Sequence, residues 1–134
     1  YQQGHFCAAA IGLDLTKRAL QSQLKAKGLP WERAKAFTGS ALFSDFVNLD
    51  TIDEHLKLEL FINGECWQTG SIAMMLYSPQ AVLDEIRSFI NLEDGDIVMT
   101  GTPAGVGEIV AGDIFEGRVW HRNTVLVQKK WHAL

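Results

Sequence analysis

Apolar and polar side chains alternate most sharply in HLKLELFI, residues 55–62, where Leu56, Leu58, Leu60 and Ile62 interleave with His55, Lys57, Glu59 and Phe61. A period of two predicts a strand with one buried face. Asn63-Gly64 follows directly, a pair suited to a tight hairpin because both central residues must take positive φ, so residues 65–70 should return antiparallel. The period changes at Ser78-Pro79, which reads as an N-cap followed by proline at the first helical position. Val82, Leu83, Ile86 and Ile90 then form one stripe, predicting a helix over about 79–90.

The remaining pattern is weaker. HFCAAAIGLDL, residues 5–15, is small and apolar as a buried strand is, with helix as the alternative. Thr16 is placed to cap a helix over about 17–27, with Leu20 and Leu24 on one face and Gly28 as its stop. Residues 31–47 show no clean period and read as a long, partly buried loop. Asp96–Thr100, Asp113–Trp120 and Thr124–Lys129 read as strands divided by glycine turns.

Composition narrows the function classes. At 134 residues, 47% hydrophobic and 21% charged, the chain suits one ordinary core and is too apolar for disorder. A net charge of −4, with no run of Lys or Arg beyond two, leaves no footprint for nucleic acid or an anionic membrane. No apolar run is long enough to span a bilayer and no signal-peptide pattern is present, so the expected setting is cytoplasmic. Cys7 and Cys66 sit far apart among apolar or aromatic neighbours, which predicts buried, unreactive thiols. The four histidines share no ligand spacing and read as structural. The acidic stretch from Asp45 to Glu54 reads as a solvated loop, and the tryptophans as core and interface anchors.

Candidate chemistry begins at GDIVMTGTPAGVGE, residues 95–108. A phosphate cradle needs a Gly-Lys-Ser or Gly-Lys-Thr ending and a helix behind it, but Gly107 is followed by Glu108 and then a strand pattern. Gly101, Gly105 and Gly107 still let the backbone turn sharply and approach a ligand, and Thr102 offers a hydroxyl and an N–H to a carboxylate. A plain turn between strands fits these residues equally well.

Together, LDLTKRALQ, GLPWERAKAF, FINGECWQTG and EDGDIVMTGTPAGVG occur in an order that resembles the fumarylacetoacetate hydrolase family, over about His5 to Leu126. In particular they resemble its acylpyruvate hydrolase and oxaloacetate decarboxylase or tautomerase members. The resemblance implies an α+β, β-rich fold, a mixed β-sheet roll with two or three short helices. It also implies a metal-dependent enzyme acting on a 2-oxo acid with a β-carbonyl. Mg²⁺ or Mn²⁺ would be bound by Asp14, which matches the last metal ligand, with a Glu-x-Glu pair expected upstream of Tyr1. The chain thus reads as a single partial domain, and a homodimer or association with an N-terminal segment is expected.

By the same resemblance Lys35 matches a catalytic lysine beside the metal, Gln21 a substrate contact, and Thr102 the substrate-carboxylate threonine. Gln68 and Gly70 match the pocket rim, and Arg18 is expected to share a helix face with Asp14 and Gln21. The family usually reads Arg-Asp where this chain has Arg18-Ala19. The alternative is a non-catalytic binding or assembly module that kept the fold and lost the metal site.

Overall fold

The computed structural model describes residues 1–134 and falls into two compact units, Tyr1–Ile11 with Ser44–Leu134, and Gly12–Phe43. Every strand pairing is antiparallel. The α+β, β-rich expectation holds.

The larger unit is built on a four-stranded sheet. In chain order its strands are β5 (Leu56–Ile62), β6 (Glu65–Ser71), β7 (Ile114–His121) and β8 (Thr124–His132), arranged β6-β5-β7-β8. The Asn63-Gly64 turn takes φ of 52° and 85°, as the sequence requires. Asn63 also ties the hairpin to β7: its Oδ1 accepts from the Ile114 N–H and its Nδ2 donates to Asp113, both at 2.9 Å. Burial alternates along β7, and Phe115 and Val119 share one face of the sheet with Leu60, the one buried residue of β5. Gly117 is in the sheet because Ile11 fills its side-chain space; a Cβ there would lie 2.8 Å from Ile11 Cδ1.

Helix α3 (Pro79–Arg87) begins as predicted, the Ser78 Oγ accepting from the Ala81 N–H at 3.2 Å, and it buries Leu83 completely. It ends three residues early. The Ser88 hydroxyl donates to the Glu85 carbonyl at 2.7 Å and the Phe89 N–H turns back to Ile86, leaving Phe89 and Ile90 exposed. Ile90 therefore does not join the buried stripe.

Three further expectations are corrected. The run 5–15 is not one strand: β1 (Ala8–Ala9) pairs with β4 (Val47–Asn48) in the larger unit, and β2 (Gly12–Asp14) pairs with β3 (Ala41–Phe43) in the smaller. Residues 96–100 form no strand, and the backbone just before them finds a side-chain and a distant partner: the Glu93 N–H donates to Asp96 Oδ2 and the Gly95 N–H to the Tyr1 carbonyl. Cys66 is exposed, since β6 is an edge strand, whereas Cys7 is half-buried; both thiols are free. Within the acidic stretch Asp53 is engaged, accepting from His121 Nε2 at 3.1 Å and from the His55 N–H at 3.0 Å. Burial alone would raise its carboxyl, but these bonds outweigh it and hold the group below its ordinary range.

The smaller unit holds the β2–β3 hairpin, α1 (Arg18–Ala26) and a single turn α2 (Glu32–Lys35). Helix α1 stops at Gly28, φ 63°, where the Leu29 N–H reaches the Leu24 carbonyl at 3.0 Å in a Schellman closure. Thr16 does not cap it; Lys17 occupies the N-cap without a side-chain bond. Residues 31–47 are not a loop: α2 and β3 lie there, too short to show a period, pinned by the fully buried Ala34, whose carbonyl accepts from the Lys17 N–H. No helix is long and apolar enough to cross a membrane.

Candidate functional site

In the smaller unit Asp14 closes β2 opposite Ala41, and Lys35 ends α2. Although 21 residues apart, their side chains meet: Lys35 Nζ donates to Asp14 Oδ1 at 2.5 Å and to Thr16 Oγ1 at 2.9 Å. The Lys35 and Asp14 side chains keep 33% and 36% of their exposure, so the pair is screened and is worth at most about 1 kcal/mol of stability. Its consequence is geometric. A carboxylate and an ammonium are held together where solvent reaches both.

Arg18 and Gln21 share a face of α1, and Arg18 donates to Gln21 Oε1 at 3.0 Å. That bond engages the Gln21 amide oxygen, so what the amide has left to offer is its N–H donors. Asp14 does not share the face, because it belongs to a strand. With Ala19 in place of a carboxylate the first turn of α1 has no acid, and Gln21 is the partner that Arg18 finds.

In the larger unit the glycine loop lies along β6. A Cβ on Gly70 would meet Pro103 Cγ at 2.6 Å, one on Gly107 would meet the Trp67 ring at 2.8 Å, and one on Gly105 would overlap the Trp67 carbonyl and approach Gln68 Cγ at 3.2 Å. Three absent side chains thus let the loop and β6 pack closely, backbone against backbone at Gly105 and against the Pro103 and Trp67 side chains at Gly70 and Gly107. The register shows how β6 accommodates this: Leu60 faces Gln68 and Phe61 faces Cys66, so Trp67 is the extra residue of a bulge. Gly101 and Gly105 take φ of 121° and 101°. Thr102 is exposed on this loop, Gln68 is half-buried beside it and Gly70 is buried beneath it.

The chain as a whole, in sequence and in fold, is similar to known proteins. Residues 5–129 match the family description Fumarylacetoacetate (FAA) hydrolase C-terminal. The chain belongs to the fumarylacetoacetate hydrolase family. It is 44% identical over 112 residues to the mitochondrial oxaloacetate tautomerase of Homo sapiens, covering 82% of this chain and 51% of that protein. A yeast fumarylacetoacetate hydrolase family protein superposes with a TM-score of 0.87 at 34% identity, covering 92% of this chain and 55% of that one. The fumarylpyruvate hydrolase of Pseudomonas aeruginosa, solved with Mn²⁺ and pyruvate, gives a TM-score of 0.81 at 33% identity, covering 86% and 50%. The chain spans about half the length of the curated relatives it matches.

Within this family frame the side chains on hand do not complete a divalent-metal site. No three His, Cys, Asp or Glu side chains group so as to hold an ion, and one aspartate falls short of the six oxygens that Mg²⁺ requires. Asp14 still offers an oxygen, since Lys35 engages only Oδ1. Two contributors escaped the sequence reading. Thr16, expected as a cap, anchors Lys35, and Trp67, expected as a core or interface anchor, seats the glycine loop. The signals were present in Asp-Leu-Thr and in Trp-Gln-Thr-Gly, but neither motif states which partner it meets.

Proposed function

We propose that this chain is part of the catalytic domain of a metal-dependent enzyme acting on 2-oxo acids with a β-carbonyl, either hydrolysing the C–C bond of acylpyruvates or tautomerising or decarboxylating oxaloacetate. The observation that carries the reading is the meeting of Asp14 with Lys35 in a chain whose relatives are an oxaloacetate tautomerase and a fumarylpyruvate hydrolase. These reactions share one electronic demand. Negative charge builds on the oxygen of the 2-oxo group as its enolate forms.

Lys35 can donate an N–H to that oxygen, stabilising the charge as it develops. Thr102 and Gln68 serve as neutral donors to the substrate carboxylate, while Arg18 and Gln21 offer a further cation and amide. The proposed cofactor is Mg²⁺ or Mn²⁺, supported by the Mn²⁺ in the Pseudomonas relative, with Asp14 as one ligand and the others from polypeptide beyond these residues. The proposed assembly is a homodimer or a complex with such a segment. A cytoplasmic setting is retained as the proposal, although the human relative is mitochondrial.

A non-catalytic module is the second reading, favoured by the lack of a complete ligand group. Titration of Mn²⁺ into the complete assembly separates the two, alongside turnover of oxaloacetate and of an acylpyruvate. An enzyme shows saturable binding and turnover, and Asp14→Asn weakens Mn²⁺ by at least the roughly 10–100-fold that even outer-shell losses cost. Absence of both a saturable site and turnover establishes the module.

A further inference from the structure

Thr16 directly precedes the N-cap residue Lys17 and does not cap α1, which leaves its hydroxyl to be explained. The hydroxyl points towards the Asp14 backbone carbonyl, 3.5 Å away, so its lone pairs are turned to Lys35, whose Nζ lies at 2.9 Å. We propose that Thr16 is a positioning residue that aims the Lys35 ammonium. The proposal rests on the reading of Lys35 as the group that acts on the reacting oxygen.

An ammonium carries three N–H donors on a long flexible stem. Held by Asp14 Oδ1 alone, it could swing about that one contact, and its other two N–H groups would sweep a cone. Two anchors remove that freedom. With one N–H on Asp14 Oδ1 and a second on Thr16 Oγ1, tetrahedral geometry leaves one N–H pointing in one direction. The β-branched Thr16 suits the task, because its restricted χ1 fixes where the hydroxyl sits. The sequence separation matters too. Lys35 ends a single helical turn, whereas Thr16 follows directly on β2, whose end carries Asp14. Both anchors of the ammonium thus come from one short stretch of chain.

The test is a double-mutant cycle in the complete assembly, with oxaloacetate and an acylpyruvate as substrates. Thr16→Val, which keeps the shape and removes the acceptor, should lower kcat roughly 10–100-fold, the scale of a misaimed catalytic group, with KM held within about twofold. Thr16→Ser should restore most of the loss. In a Lys35→Met background Thr16→Val should change nothing further. Thermal melts of each variant check folding, and Thr16→Ala repeats the measurement should valine overpack the site. Equal fold-losses in both backgrounds, or a serine variant as slow as the valine one, would show that Thr16 does not act through Lys35. Should Lys35→Met lower kcat while Thr16→Val leaves it intact, only the positioning role is overturned. An undiminished Lys35→Met overturns the reading of Lys35 and the positioning role with it.

Discussion

Around Lys35 the backbone is ordinary and side chains set the geometry: an ammonium, a carboxylate and a hydroxyl hold one another at hydrogen-bond distance. Around Thr102 the reverse is true. Gly70, Gly105 and Gly107 let the loop rest on β6 and the bulged Trp67, and space without a side chain sets the geometry. The first arrangement is vulnerable to removal of a group, the second to addition of one. The difference follows what each region is proposed to do. A reacting oxygen needs an aimed charge, whereas a carboxylate needs a wall of donors brought close.

The largest expected effect comes from removing the charge. Lys35→Met should lower turnover by about 10²–10³, or roughly 2.7–4 kcal/mol of transition-state stabilisation, as loss of an oxyanion donor does. Steady-state kinetics of the complete assembly reads this directly. Equal turnover on both substrates would leave the ion pair as scaffolding and erase the contrast drawn above.

Addition of a methyl group at the loop is the converse operation. Gly105→Ala places a Cβ against the Trp67 carbonyl at a φ of 101°, and the strained backbone alone costs about 1–3 kcal/mol. The loop must shift, so the apparent KM should rise with kcat nearly constant, the pattern of lost uniform binding. Gly101→Ala sharpens the point: φ is 121° there but nothing lies within 4 Å of the added carbon, so stability should fall without a comparable rise in KM. Matching KM values for the two variants would mean that strain, not close approach, shapes the loop.

The smallest effect lies away from both regions, where charge acts as scaffold only. Glu116 accepts from Lys130 at 3.0 Å and from Arg118, and these bonds, opposed by partial burial, hold its carboxyl below the usual glutamate range. A carboxyl lowered on folding stabilises the protein above its unfolded pKa and loses that contribution as pH falls through the folded value. Glu116→Gln should therefore be less stable than the parent near pH 7, and the gap should narrow as pH falls below the ordinary glutamate range. Denaturant melts across that range, with turnover near pH 7 unchanged, check it. A gap that persists in acid would assign the loss to packing.

Much of the fold was readable because local rules were enough. Period-two alternation and Asn63-Gly64 specify a strand and its turn within ten residues, and Ser78-Pro79 and Gly28 mark helix ends through their own backbone preferences. Reading failed where elements were shorter than the period that would reveal them. Glu32–Lys35 and Ala41–Phe43 span one turn and three residues, and no periodic signal survives at that length. Residues 96–100 failed for another reason: an apolar run looks strand-like by itself, whereas the backbone just before it is taken up by a side-chain and a distant partner.

The site divides along the same line. The resemblance of four ordered motifs to the family marked Asp14, Arg18, Gln21, Lys35, Gln68, Gly70 and Thr102 as candidates, because motifs preserve side-chain identity along the chain. Which of them touch was decided by tertiary structure alone. Lys35 reaches Asp14 and Thr16 only because β2, α2 and Ala34 bring together residues some twenty positions apart, and no local rule encodes a distance across that separation. Gly105 and Gly107 matter only because a bulge turns Trp67 towards them, a property of paired strands that neither strand possesses by itself.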